Sequence, residues 1–340
     1  MATIKDLAAK TGYAVGTVSR VLNTHPNVSE KARMAILRAV EETGFQLNVN
    51  AKQLKQSHAT SVLVVVRGNA NEIFQQMVET IQTELSRTRY PLYVDYMDET
   101  GNEVLRALQL CREKKPLGIL FLGGDRNHFR EDFSEIDIPC VLVTGDASEL
   151  DFPNLSSVST DDALAAGRVV DTLVELGHRR FALIGGHRTG SDPARLRYEG
   201  CVDAFERHGI PFDPERDYEQ VRFSWEGGYQ AVNRLLDRGS PFTALVAQSD
   251  VMAVGAIRAL NDRGLRVPED VSVMGYDGLA LGSYLNPRLS TVAQSVERLA
   301  CRAVEILLDC VEHETGGRHE RVEFQILLRE STREPAENRT

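Results

Sequence analysis

The stretch ATIKDLAAKTGYAVGTVSRVLN, residues 2–23, decides how the chain begins to fold. Thr3 and Asp6 make a T-x-x-D start, a capping box with Asp in place of Glu, and Ile4, Leu7 and Ala8 recur at helical spacing. This predicts a first helix running to about Thr11. Gly12 can take the left-handed conformation that ends it, and a second apolar run, Val15, Val18, Val21 and Leu22, begins three residues later. Two short helices joined by a tight glycine-containing turn make a helix-turn-helix. Beyond Asn27, Ser29 suits the N-cap of a longer amphipathic helix that ends near Thr43, with Ala32, Ile36, Ala39 and Val40 inward and Gly44 as its stop.

Charge separates this head from the rest. The chain of 340 residues carries a net charge of −10, yet residues 1–59 hold eight Lys/Arg against four Asp/Glu, so a head at +4 precedes a body at −14. A small basic tip on an acidic body suits a polyanion that meets the tip alone. The segment AVGTVSRVL then reads as a recognition helix entering a major groove with its N-terminal residues first.

The opening stretch closely resembles the start of the LacI-type repressors, the lac and purine repressor family, and the resemblance extends through motifs further along the chain. It implies that Val15, Gly16 and Arg20 occupy base-reading positions and that Thr17 and Ser19 face phosphates. The chemistry agrees: an arginine forks onto guanine O6 and N7, and a valine can touch a thymine methyl. Two departures stand out. Ala14 sits where the family usually has serine, removing a helix cap at a cost of about 1 kcal/mol, and Gly16 offers no side chain to a base.

FQLNVNAKQLKQ, residues 45–56, follows the head. Its helical stretch of about eight residues is too short to be stable alone in water, and by composition it could be an ordinary polar linker. The resemblance implies a hinge helix that pairs with its symmetry mate in the minor groove, Leu54 acting as the wedge at a base step with Ala51 and Lys52 beside it. Leu47 replaces a common proline and Lys52 a common arginine.

From Ser61 the pattern changes to apolar strands followed by amphipathic helices. SVLVVV (61–66), PLYVDYM (91–97), LGILFLGG (117–124) and PCVLVTG (139–145) form one series, with helices near 72–88 and 103–114. RFALIGG (180–186), YEQVRF (218–223), TALVAQSD (243–250) and VSVMGYD (271–277) form a second. Continuous apolar strands alternating with helices mean parallel sheets covered on both faces. The expected fold is an all-α helix-turn-helix head followed by an α/β body of two similar parallel-sheet subdomains, periplasmic-binding-protein-like. The boundaries read as 1–45 for the head, 46–59 for hinge and linker, 60–162 with 291–323 for one subdomain, and 163–290 with 324–340 for the other.

Ligands bind beyond the carboxyl ends of such strands. Arg197 in RLRYEG matches the family's effector-binding arginine, although Arg195 and Arg197 could both be solvated helix charges. Asp277 in MGYDG resembles its ligand aspartate, and a guanidinium with a carboxylate suits a sugar or nucleobase. Phe223 fits a stacking aromatic, with a core aromatic as the equal alternative. Ile73, Phe74, Asp161 and Gln294 match cleft positions on the other subdomain. Ser249 in QSD stands where asparagine is usual, which argues for an altered effector. Arg67 and Asp125 also lie at strand ends.

Other classes are disfavoured. No run approaches the roughly 18 apolar residues of a membrane helix, and no charged-then-apolar leader precedes MATIKD, which reads as cytoplasmic. The five cysteines are odd in number and widely spaced, so they read as small core residues rather than a disulfide framework. GxGxxG after a strand, GxxxxGK[ST], GxSxG and HExxH are all missing from the sequence, and His178, His187 and His313 read as surface histidines. The expectation is a regulator, not an enzyme, with no cofactor and no metal. Its partners would be operator DNA, a sugar-like small molecule and a second copy of itself. TREPAENRT carries no leucine heptad for further assembly.

Overall fold

The computed structural model describes residues 4–22, 29–43, 61–68, 72–188 and 192–335. It divides into two compact units, residues 1–58 and 59–340.

In the head, α1 (Ile4–Thr11), α2 (Val15–Leu22) and α3 (Glu30–Thr43) follow the expected spacing. Gly12 has φ +71°, the left-handed turn the sequence asked for, and its amide closes onto the Ala8 carbonyl at 2.9 Å. At the start of α2, the Ala14 carbonyl accepts from the Thr17 and Val18 amides. The Ser29 hydroxyl accepts from the Ala32 amide at 3.4 Å, as a helix cap should. Leu7, Val18, Val21 and Ile36 are buried together, with Ala8 and Ala39 filling the gaps between helices and Val40 packed at the margin.

The body contains two six-stranded sheets of one design. The first lobe begins with strands β1 (Val62–Arg67), β2 (Leu92–Met97), β3 (Gly118–Leu122), β4 (Cys140–Val143) and β5 (Leu155–Thr160). In the second lobe come β6 (Phe181–Gly185), β7 (Tyr218–Gln220), β8 (Ala244–Ala247), β9 (Ser272–Asp277) and β10 (Ser290–Gln294), and the chain closes with β11 (His319–Val322) and β12 (Phe324–Leu327). The first lobe orders its strands β11-β5-β4-β3-β1-β2 and the second β12-β10-β9-β8-β6-β7, all pairings parallel except β12, which runs antiparallel to β10. Each sheet has apolar clusters on both faces: helices Glu72–Ser86 and Val296–His313 cover one face of the first, Asp162–Glu175 and Asp192–Arg207 one face of the second.

Four strands were not anticipated. β5 contains three serines, yet all its residues are buried; Ser157 accepts from the Ala147 amide and Ser156 from the Arg318 amide, so the hydroxyls are satisfied inside. β10, β11 and β12 are short and partly polar. Because β10 pairs with β9 and β12, the chain leaves the second lobe at Ser295 rather than near 291. The expected strand 218–223 pairs only over Tyr218–Gln220.

The chain crosses between lobes three times, after Thr160, at Ser295 and at Glu323, and the crossings are stitched together. Thr160 Oγ1 donates to Gln294 Oε1 at 2.9 Å, Ser295 Oγ to the Glu323 carbonyl at 2.8 Å, and Arg321 pairs with Asp161 at 2.6 Å.

All five cysteines are free; Cys140, Cys201 and Cys310 are buried, while Cys111 and Cys301 are half-buried. His178 corrects the surface reading. It is buried, with Nδ1 bonded to Thr243 and Nε2 facing the Ser272 hydroxyl and the Arg333 carbonyl, and burial lowers its pKa. Its ring fastens the tail to the second sheet. Among the described residues, no helix is long and apolar enough to cross a membrane.

Candidate functional site

A cavity of about 290 Å³ lies between the carboxyl ends of the two sheets, close to the usual lower size of small-molecule sites, roughly 300 Å³. The first lobe supplies Arg67 from the end of β1, Ile73 and Phe74 from the following helix, and Thr144 beyond β4. From the second lobe come Asp277 and Gln294 at strand ends, Arg197 on the helix after β6, and Phe223 in the segment between β7 and helix Trp225–Asp237. An adjoining compartment shares Arg67, Glu99, Arg222 and Phe223 and adds Asp125 and His187.

The polar floor belongs to the second lobe. Arg197 is buried, its Nε donating to Asp162 Oδ1 at 2.7 Å and its Nη1 to the Gln248 carbonyl at 2.6 Å, with Asp277 Oδ1 at 3.6 Å. The guanidinium lies 3.6 Å above the Tyr276 ring, whose hydroxyl also donates to Asp162 Oδ1 at 2.7 Å. Burial works against the charge of Arg197, but Asp162, Tyr276 and Asp277 more than offset it and hold its pKa above the ordinary value. Asp277 responds in the opposite way: burial pushes its carboxyl up to about 6, with Arg197 and the Gln294 amide opposing. Gln294 Nε2 donates to Asp277 at 2.9 Å. Asp277 has φ +121°, a strained backbone for a non-glycine residue of the kind that persists where the surroundings over-determine it.

Phe223 sits where it does because residue 186 is glycine; a Cβ there would come within 2.6 Å of its ring. Phe74 presents the other aromatic edge, from the first lobe.

The first lobe holds its own arginine. Arg67 Nε approaches Glu103 Oε2 and the Gly101 carbonyl, both at 3.3 Å. Glu103 is wholly buried at the first turn of helix Glu103–Lys114; it also accepts from the Asp125 amide at 2.6 Å and meets His128 Nδ1 at 2.9 Å. At the mouth, Arg222 crosses from the second lobe to Glu99 at 3.0 Å and Asp98 at 3.7 Å. The Thr100 hydroxyl and amide keep the Asp98 carboxyl below its usual pKa.

Of the cleft residues expected from sequence, Ile73, Phe74, Arg197, Phe223, Asp277 and Gln294 line this cavity. Two do not. Asp161 caps helix Asp162–Glu175, accepting from the Leu164 amide at 3.1 Å, and pairs with Arg321. Ser249 is buried, and its hydroxyl accepts from the Met252 amide at 3.3 Å, capping helix Asp250–Asp262, so its exchange for asparagine does not touch the cavity wall. Arg195 is a helix-surface charge, paired with Glu199. Sequence reasoning passed over Asp162, Gln248, Glu99 and Arg222. Glu99 was within reach, since it follows β2 as the other site residues follow their strands; the others are defined by their partners.

In the head, Gly16 is exposed and Thr17 half-exposed on α2, and a Cβ at Gly16 would meet open space. Val15, Ser19 and Arg20 lie on the same helix, but their side chains are outside the described set, and Ala51, Lys52 and Leu54 lie outside the described residues.

Residues 3–48 match the family described as bacterial regulatory proteins, lacI family, and residues 170–332 match a periplasmic binding protein-like domain. The HTH-type transcriptional regulator MalR of Clostridium butyricum is 31% identical, over 96% of this chain and 98% of that protein. Among solved structures, the lac repressor dimer bound to operator and the anti-inducer ONPF superposes with a TM-score of 0.73 at 25% identity, covering 98% of this chain and 99% of that one. The complex of the transcriptional regulator CelR with cellobiose gives 0.71 at 27% identity, covering 97% and 100%.

Proposed function

The chain belongs to the lacI family of bacterial transcriptional regulators, and we propose that it is a dimeric, cytoplasmic repressor whose grip on a pseudo-palindromic operator is set by a sugar-like effector in the cleft. The observation that carries this reading is the cleft itself: a buried floor of Arg197, Asp277 and Gln294 faces two aromatic edges, Phe74 and Phe223, contributed by different lobes. Hydroxyl groups suit such a floor and the apolar face of a sugar ring suits such walls. The cellobiose in CelR and the ligand in the lac repressor complex are consistent with it. Binding, rather than chemistry, is the role assigned to these groups.

The head, residues 1–45, reads the major groove through Val15, Gly16 and Arg20, with Thr17 and Ser19 on phosphates; residues 46–59 form the hinge, with Ala51, Lys52 and Leu54 at the minor groove. Linkage supplies the mechanism. A ligand held by both lobes favours one cleft geometry, and if that geometry changes the spacing of paired hinges, operator affinity changes by the same coupling free energy.

The test is a thermal-shift screen of sugars followed by operator titration with and without each hit. A ligand bound only by the native state raises the melting temperature, and a hit must also move operator affinity in one direction or the other. Arg197→Ala should lose the ligand response while retaining DNA binding; a normal response in that variant overturns the cleft assignment. Arg20→Ala should cost roughly 1–3 kcal/mol at one base pair and relax specificity there, measured by titration of operator variants. Leu54→Ala should reduce operator bending, read by circular permutation of the DNA site.

A further inference from the structure

The charge class of the effector can be read from the ion pairs around the cleft, an argument that rests on the effector reading above. Three guanidiniums reach the cavity, those of Arg67, Arg197 and Arg222, and among the described residues no lysine lines it. Each guanidinium already meets a carboxylate: Arg197 on Asp162, Arg67 on Glu103, Arg222 on Glu99 and Asp98. Two of these acids, Asp162 and Glu103, are buried, so an incoming anion that drew an arginine away would leave a carboxylate out of reach of solvent and without its guanidinium counter-charge. Asp277 and, next door, Asp125 add further negative charge to the walls.

Among the described residues, three helix starts at the cleft do not favour an anion. Ser224 already accepts from the Gly227 amide, Pro193 has no amide proton to give in the first turn of Asp192–Arg207, and helix Glu72–Ser86 begins with an acid. What remains is a set of carboxylate lone pairs and guanidinium edges, the complement of hydroxyl groups.

We infer that the cleft selects a neutral polyhydroxylated ligand and rejects phosphorylated or carboxylated sugars, and that the Arg222–Glu99 pair across the mouth sets this discrimination. Arg222 is the only one of the three guanidiniums whose acid partners are themselves reachable by solvent, so it is the one that a substitution can release for an anion.

The experiment uses the full-length protein and matched probes: neutral mono- and disaccharides such as glucose and cellobiose, each beside an anionic derivative, glucose 6-phosphate, glucuronate or cellobionate. Binding is followed by the melting temperature and by the emission of Trp225, the chain's single tryptophan, which adjoins cavity-lining Ser224 and is 60% exposed. The expected result is that the neutral member of a pair binds about 100-fold tighter than its anion or better, the scale of one like-charge juxtaposition. Glu99→Gln should then raise the ratio of anion to neutral affinity about tenfold, because Arg222 loses the nearer of the two acids that neutralise it. An anionic probe that binds more tightly than its neutral parent overturns the inference and leaves the cleft reading standing. If neither class moves the melting temperature, the emission or operator affinity, the cleft reading itself falls and the inference with it. A ratio unmoved by Glu99→Gln, in a variant with a normal melting temperature, removes the role given to the mouth pair.

Discussion

The two lobes share one strand order and solve one problem twice: each fixes a cavity-facing arginine with a buried carboxylate at the first residue of a helix, Glu103 for Arg67 and Asp162 for Arg197. They differ in how tightly they do so. Arg197 is hydrogen bonded at 2.7 and 2.6 Å and stacked on Tyr276, whereas Arg67 stands 3.3 Å from Glu103, which also serves His128 and the Asp125 amide. The second lobe has therefore made its charge part of its core. The first holds its guanidinium by a longer contact to a carboxylate that it shares with two other groups.

The most severe break in this comparison is Asp162→Ala. It strands a buried guanidinium and removes the acceptor of the Tyr276 hydroxyl, so it should cost about 3–5 kcal/mol and lower the melting temperature by roughly 10 °C. Glu103→Ala should cost less, about 1–3 kcal/mol, because the Arg67 and His128 side chains are partly exposed; equal losses in the two variants, measured by denaturant unfolding, would erase the distinction between the lobes.

Acidity sharpens the contrast. Burial, then the neighbouring Asp277, pushes the Asp250 carboxyl up to about 8, while Asp277 itself stands at about 6. The folded protein thus holds protons at pH values where the unfolded chain has released them. It follows that stability from these groups is fully present below about pH 4, the unfolded range, and is lost as pH rises through about 6 and then 8. Asp250→Asn should remove the later part of that loss, raising the melting temperature by a few degrees at pH 8 and by little at pH 5. The amide can preserve the local bonds: its oxygen accepts from the Leu279 amide, its nitrogen donates to Thr291 Oγ1, and that hydroxyl turns to the Val292 carbonyl it already approaches. The smallest effect belongs to Arg222→Ala, whose partners at the mouth are exposed; unfolding free energy should change by no more than about 0.5 kcal/mol.

What the sequence made legible follows from how local each signal is. The apolar runs that became β1, β3, β4, β6, β8 and β9 are buried on both faces, and a buried strand advertises itself in its own residues. β5 and β11 do not, since the serines of one are satisfied by distant amides and the other, His-Glu-Arg-Val, is a strand only because β5 lies beside it. The same division runs through the cleft. Asp277 was legible as a charge at a strand end, and Arg197 through the resemblance of RLRYEG to the family's arginine. Asp161 and Asp162 are adjacent, and which of them turns inward is decided by where the helix begins: the first caps it from outside, the second is swallowed beneath it. Arg222 and Glu99 acquire meaning only when two lobes face each other.

The closing strands carry a consequence for biosynthesis. β11 and β12 lie within residues 319–327, and helix Val296–His313, which covers the first sheet, is made only after β10 of the second. During synthesis both sheets therefore wait for their final strand until residues 319–327 have been made. A polypeptide cut short before residue 319 leaves the buried strands β5 and β10 as sheet margins, the kind of surface that aggregates or is handed to proteases. Neither lobe can be completed ahead of the other, so an unfinished copy contains no intact lobe.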